Sequence, residues 1–175
     1  MIDSHAARAE NLVGAGALAV ADRLRDAIRD ASGLEGSASA ALVALDLYAE
    51  GEGVDTLARA LSISHSGAVR LVDQLADRRL VRRTRSDRDG RAVALRLTPS
   101  GRRTAARIAT ARHAVLNELL APLSEADRTH LGDLLGKLLA GQTSDTASAR
   151  RLCRLCDADA CGHPDRCPVT QAAHR

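Results

Sequence analysis

The chain has 175 residues, of which 45% are hydrophobic, and this is enough for one ordinary core with extensions. Tyr48 is the only aromatic residue, so that core must be aliphatic. The net charge of +3 identifies no partner by itself, and the absence of metalloprotease, triad and phosphate-loop motifs predicts that the chain is not an enzyme. The apolar run 12–21 is too short to span a bilayer and follows no basic export signal, so we expect a cytoplasmic protein without a membrane partner.

Hydrophobic periodicity predicts four helices in the first half of the chain. A long amphipathic helix is expected over 6–32, a second over 38–48 and a short third over 54–61. After a turn at 62–64, a fourth helix is expected over 66–79. Its apolar residues repeat at i, i+3, i+4 and i+7 and predict one buried face: Ala68, Leu71, Val72 and Leu75.

The second half begins with two strand-like runs, 81–84 and 92–97, joined by the turn residues Asp89 and Gly90. Thr98 and Pro99 are a typical helix start, and the helix is expected to reach residue 120. Ser124 with Asp127 resembles a capping box that opens a leucine-rich helix. The small polar residues 141–149 predict a linker or a loose helix end. A helix that leads into a basic hairpin is typical of a winged helix-turn-helix.

Positive charge is concentrated on this helix and hairpin. Residues 64–112 contain 13 arginines and four aspartates, a net charge of +9, whereas the whole chain carries only +3. A polyanion such as double-stranded DNA is the partner that such a distribution favours. The alternative interpretation is an ordinary solvated face.

The segments ISHSGAVRLVDQL (63–75), LVRR (80–83) and DRDGR (87–91), followed by LTPSG (97–101), resemble the MarR family of transcription regulators. The resemblance covers residues 6–140, although His65 and Gly67 depart from the residues that are usual there. It implies a mainly α fold in which a winged helix-turn-helix with a β-hairpin wing is flanked by dimerisation helices. We divide the chain accordingly into an N-terminal dimerisation helix (1–32), a winged helix-turn-helix (37–98), C-terminal dimerisation helices (99–140) and a linker with a cysteine-rich tail (141–175).

The resemblance also implies a homodimer that presents two winged domains to a palindromic operator. The residues favour the same assembly independently, because the first, fifth and sixth helices carry apolar stripes that one small domain cannot cover. Closure of a monomeric core by these stripes is the alternative.

The predicted DNA contacts lie on the outward face of the fourth helix and on the hairpin: Ser64, His65, Ser66, Val69 and Arg70, then Arg82, Arg83, Arg85, Arg88 and Arg91. Arg70 can read a guanine edge, and the alternatives are a phosphate contact or a pair with Asp73. One of Arg88 and Arg91 is expected in the minor groove, while the three earlier hairpin arginines are expected to clamp the DNA backbone.

All four cysteines of the chain lie within 15 residues of the tail: Cys153, Cys156, Cys161 and Cys167. In a reducing compartment a routine disulfide framework is not expected. Four thiols can hold Zn²⁺ as a structural site. Alternatively, Cys153, Cys156 and Cys161 form a redox switch, because nearby arginines favour thiolates, or the tail is inert.

The predicted function is a homodimeric, sequence-specific DNA-binding transcriptional regulator, a repressor relieved by a small-molecule effector or by a thiol or metal event. The alternative is a winged-helix protein-interaction module with a zinc-stabilised C-terminal tail. The +9 segment favours the first, since a protein-docking wing need not be rich in arginine.

Overall fold

A computed structural model of the chain describes residues 4–86 and 92–174, with side chains from residue 7 onward. In chain order the elements are α1 (Ser4–Ser32), α2 (Ser37–Ala44), α3 (Val54–Leu61), α4 (His65–Asp77), β1 (Val81–Arg85), β2 (Val93–Leu97), α5 (Pro99–Leu120), α6 (Glu125–Gly141), α7 (Thr146–Leu152), α8 (Ala158–Cys161) and α9 (Pro168–Ala173). This order confirms the predicted fold, which is mainly helical with a β-hairpin wing. Within the described ranges no helix is long and apolar enough to cross a membrane.

An aliphatic core lies where α2, α3, α4 and the hairpin meet α5. Its largest fully buried side chains are Leu42, Leu45, Leu57, Val72, Leu75, Leu95, Leu97 and Ile108. The four residues that were predicted to form the inner face of α4 are all buried, so the periodicity placed the outward face correctly. The long helices α1 and α5 pack along each other beside this core.

The second predicted helix is divided in the structure. After α2 the chain widens into a π-helical turn, Leu45–Ala49, which brings both of its terminal residues into the core. Gly51, at φ 83°, then turns the chain toward the wing. The Gly51 N–H donates to the Leu95 carbonyl at 2.8 Å, and the Leu95 N–H donates to the Glu52 backbone carbonyl at 2.9 Å. The segment after the π turn therefore supports β2 on the side away from β1.

The wing and the start of α5 are held by a continuous set of hydrogen bonds. Antiparallel pairing places Val81 opposite Leu97 and Arg85 opposite Val93. The Thr98 hydroxyl accepts the Gly101 N–H at 3.0 Å and donates to the Arg79 carbonyl at 2.6 Å. The predicted helix start is confirmed, and so is the capping box formed by Ser124 and Asp127.

The tail is more ordered than its composition indicates. Helix α7 begins at Thr146, so the linker is shorter than the predicted 141–149. The reason is local: the Asp145 carboxylate accepts the Ser148 N–H at 2.7 Å, and the Ser148 hydroxyl accepts the Asp145 N–H at 3.0 Å. Helix α7 packs against α3 and α9 packs against α6, so the tail lies across the winged helix and the last long helix.

An ion pair joins the end of the π turn to α5, and it predicts a pH-dependent contribution to stability. The Arg102 guanidinium donates two hydrogen bonds, of 2.8 and 2.9 Å, to Glu50, and this bonding lowers the pKa of that carboxyl. We expect Glu50→Gln to lower the free energy of unfolding slightly at neutral pH, because both partners are partly exposed.

The sign of the pH effect follows from the lowered pKa. The carboxylate contributes fully above its ordinary pKa of 4.5, and its contribution is lost as the pH falls through the lower folded-state value. The urea unfolding curves of the two proteins should therefore differ at neutral pH and converge in acid. A difference that persists after Glu50 is protonated would contradict this assignment.

Candidate nucleic-acid interface and thiol cluster

The exposed N-terminal end of α4 brings together most of the predicted helix contacts. Ser64 caps the helix, because its hydroxyl accepts the Gly67 N–H at 3.1 Å, and the Ser66 hydroxyl lies 3.3 Å from it. Val69 is half-buried. Arg70 is exposed, and its side chain makes no hydrogen bond or ion pair with any residue that the structure describes. The helix N-terminus adds a partial positive charge of its own. This end of α4 can therefore receive an anion or a base edge.

The His65 side chain connects this end of α4 to α3. Its Nδ1 lies 2.6 Å from an Asp55 carboxylate oxygen on α3, so the imidazole joins the two helices of the helix-turn-helix. Both side chains remain exposed. The other ring nitrogen, Nε2, is the atom that His65 has left for a contact with a nucleic acid.

The hairpin is fixed to α4 by an ion pair. Nη2 of Arg83, on β1, lies 2.8 Å from Oδ1 of Asp73. In the structure the ion-pair partner of Asp73 is therefore Arg83 and not Arg70. Arg82 and Arg85 are exposed, and neither side chain is bonded to a residue within the described ranges. The structure thus divides the three clamp candidates into one that positions the wing and two whose guanidinium groups face solvent.

The remaining predicted contacts, Arg88 and Arg91, lie outside the described residues. Their place in the chain is between two described strand ends, Arg85 and Val93, which pair with each other.

The sequence model of the MarR family matches residues 32–92, which include α2, α3, α4 and β1. This part of the chain is similar to the MarR family. Among solved structures, a MarR family protein from Bacillus stearothermophilus is similar at 25% identity and a TM-score of 0.68, over 79% of this chain and 95% of that one. None of the curated proteins that were compared with the chain matches it.

Two further similar structures contain bound molecules. CouR from Rhodococcus jostii RHA1, bound to p-coumaroyl-CoA, is 25% identical with a TM-score of 0.57, over 73% of this chain and 87% of that one. A mutant of S. aureus MepR, bound to an oligodeoxyribonucleotide, is 18% identical with a TM-score of 0.58, over 75% and 96%; at that identity the likeness shows the fold alone. Members of the MarR family are transcriptional regulators and not enzymes.

The four cysteines outside the MarR match line one cavity of about 270 Å³ between the tail and the π turn. Leu47 and Tyr48 form its other side, and the Arg150 guanidinium lies 5.6 Å from the centre of the Tyr48 ring. Three thiols are half-buried and Cys167 is buried; none is in a disulfide. The Sγ atoms of Cys161 and Cys167 are 3.7 Å apart.

The thiols differ in how easily they ionise. A hydrogen bond between the thiols of Cys153 and Cys156 raises the pKa of the first and lowers the pKa of the second to about 6, and Arg112 on α5 also favours the Cys156 thiolate. Burial raises the pKa of Cys161 to about 12. Burial opposes ionisation of Cys167 as well, but hydrogen bonds involving Thr170 outweigh it and lower the pKa of Cys167. Thiols with a raised pKa (Cys153 and Cys161) thus alternate along the chain with thiols with a lowered pKa (Cys156 and Cys167).

Sequence reasoning found the cysteines but missed the residues that surround them. Tyr48 and Arg112 are far from the tail in sequence, and no local pattern connects them with it. The sequence reasoning also missed Arg78, which donates to the Gly33 carbonyl at 2.9 Å and so ties the end of α4 to the end of α1. Long-range contacts of this kind have no periodicity that a single sequence could show.

Proposed function

We propose that the chain is a homodimeric, sequence-specific DNA-binding transcriptional regulator. The observation that carries the proposal is the exposed N-terminal face of α4, where Ser66 and Arg70 face solvent. An α-helix fits the major groove of B-DNA, and an arginine there can donate two hydrogen bonds to a guanine. Val69, beside them, has the apolar surface that a thymine methyl group contacts.

The hairpin supplies the second part of the interface. Arg82 and Arg85 extend from β1 toward solvent and are suited to phosphate contacts, which position the protein but carry no sequence information. Arg88 and Arg91, beyond the described strand ends, are the candidates for the minor groove. Because Arg83 is paired with Asp73, a shift of the wing would be transmitted to α4.

The homodimer is supported by surfaces that one chain leaves uncovered. No residue of α6 is buried in the single chain, and four of its leucines are exposed: Leu134, Leu135, Leu138 and Leu139. Helix α9 covers the other side of α6, where Pro168 lies within 4 Å of the position that a Cβ on Gly136 would occupy. On α1, Leu12, Val13 and Leu18 are also exposed. A two-fold axis beside α1 and α6 would bury both surfaces.

We further propose that the protein is a repressor relieved by a small-molecule effector or by a change at the thiols. A cavity of about 520 Å³ lies between α1, the start of α2 and the tail, and Arg25, Arg151 and Arg154 are among the described residues that line it. Glu35 also lines the cavity and Arg25 is paired with Asp22, so Arg151 and Arg154 are the groups that would attract a small anionic compound. Tyr48 is not in the lining, which disfavours a compound that needs aromatic stacking. A compound bound at this junction would change the distance between the two α4 helices of the dimer. An operator can be bound only at the distance that its two half-sites set.

The test begins with selection of binding sites from a random pool of DNA duplexes by the purified full-length protein. We expect a palindrome whose half-site centres lie about one helical turn, or a multiple of it, apart. On that site, Arg70→Ala should weaken binding by about 1–3 kcal/mol per half-site and relax the base preference at one position in each half. Gel-shift titrations against single-base variants of the site measure both effects.

Lys137→Ala is the matched control, because it removes one positive charge from α6, away from α4. It should leave affinity and base preference unchanged. If Arg70→Ala keeps both as well, α4 does not read the bases. If the wild-type protein enriches no sequence and binds all duplexes alike, the proposal fails, and the protein-interaction module becomes the better account.

A further inference from the structure

The four cysteines occupy the ends of the tail helices, where side chains can converge. Cys153 follows the last residue of α7, and the Cys156 N–H donates to the Cys153 carbonyl at 2.9 Å, which closes the C-x-x-C pair into one turn. Cys161 is the last residue of α8, and Cys167 precedes the first residue of α9. The sequence therefore places each thiol at a turn that faces the same cavity.

The thiols also lie close to one another in the structure. The Cys161 and Cys167 sulfurs are 3.7 Å apart, and all four cysteines line the same cavity. A disulfide needs a separation of about 2.0 Å. Zinc–sulfur bonds of about 2.3 Å in a tetrahedron instead put the sulfurs about 3.8 Å apart. The observed separation therefore matches two ligands of one tetrahedral metal ion.

The tail buries few of its own side chains. In α7, α8 and α9 only Ser148 and Val169 are buried, together with Cys167 just before α9. Segments of this length seldom bury enough apolar surface to fold without a metal or a cross-link. Four half-buried or buried thiols, of which a disulfide would use two, make a metal the better candidate.

We propose that Cys153, Cys156, Cys161 and Cys167 bind one Zn²⁺ as a tetrathiolate, which holds α7 against α3 and α9 against α6. Among the described residues no three His, Cys, Asp or Glu side chains already form a metal-binding group, so the thiols must turn toward a common centre. His163 lines the same cavity, but its Nδ1 is 2.9 Å from the Thr170 hydroxyl, and it is not one of the four ligands.

Each thiol that binds exchanges its S–H bond for a metal–sulfur bond and releases its proton to solvent. Four thiolates and Zn²⁺ leave a net charge of −2 at the site. Arg112, which interacts electrostatically with Cys156, and Arg150, which lines the cavity, can offset that charge.

The first experiment uses the full chain, purified under reducing conditions and analysed for metal. We expect about one zinc per chain. Co²⁺ added to the chelator-treated protein should give the thiolate-to-metal charge-transfer and strong visible bands of a tetrahedral sulfur site. The double variant Cys153→Ser/Cys167→Ser should lose both signals, whereas His163→Ala should keep them. Circular dichroism reports whether the winged helix of each variant remains folded.

A reduced, folded wild-type chain that takes up neither Zn²⁺ nor Co²⁺ would overturn the proposal, as would retention of the metal by the double cysteine variant. A metal-free protein that forms a disulfide with peroxide would assign the thiols to a redox switch instead.

Hydrogen exchange tests the structural role separately: chelation should speed exchange in α7 and α9 but not in α4. Unchanged exchange in the tail would show that the metal does not hold it. Neither result depends on whether the chain binds DNA.

Discussion

Gly101→Ala should destabilise the winged helix by about 3 kcal/mol or more, which is a large part of the stability of a domain of this size. A Cβ at this position would overlap the carbonyl oxygen of Leu80 and lie 3.2 Å from a methyl group of Leu97. Neither neighbour can yield, because the Leu80 carbonyl accepts the Thr98 N–H at 3.0 Å and Leu97 is only 2% exposed. The start of α5 must then move away from the hairpin.

The unfolding midpoint in urea measures this effect. Gly132→Ala is the control, since a Cβ on that exposed α6 glycine meets nothing within 4 Å and alanine favours a helix by up to about 1 kcal/mol. The control should be neutral or slightly stabilising. An unchanged midpoint for Gly101→Ala would mean that α5 does not approach the Leu80 backbone as closely as the structure has it.

The start of α5 shows which features of the fold can be predicted from the sequence and which cannot. Thr98 and Pro99 correctly predicted where α5 begins, because capping depends on residues that are adjacent in the chain. The close contact of Gly101 with Leu80 depends on how α5 meets the hairpin, and that geometry has no local signature. The same holds for the pair of Arg83 with Asp73, which the sequence could not distinguish from a pair of Arg70 with Asp73.

Periodicity identified the exposed face of α4 because it depends on burial. Once Leu71 and Leu75 were assigned to the core, Ser66 and Arg70 had to face outward, and the structure has them exposed. The π turn was not predicted, because a helical repeat of apolar residues does not reveal a local widening. The position of the cysteine cluster beside Tyr48 was equally inaccessible, since it depends on α7 packing against α3.

The leucines of α6 carry the second large expected effect. Leu134 and Leu138 are 44% and 56% exposed in the single chain and lie one helical turn apart, on the side that α9 does not cover. Burial of one leucine side chain contributes about 1.5–3 kcal/mol. A symmetric dimer would bury two copies of each, so this stripe alone can supply much of the free energy of association.

Leu134→Asp/Leu138→Asp should therefore weaken dimerisation by at least about 1,000-fold, since each 1.4 kcal/mol is a factor of ten and four apolar contacts per dimer are lost. Sedimentation at micromolar concentration should show a monomer, and binding to the selected palindrome should be lost, because one reading head cannot hold both half-sites. Leu134→Met/Leu138→Met keeps the same positions apolar and should remain dimeric. Because both leucines are exposed in the single chain, aspartate there removes no intrachain core contact, and circular dichroism can verify that the helices persist. A folded Asp variant that stays dimeric would place the two-fold axis elsewhere and leave the α6 stripe without a partner copy.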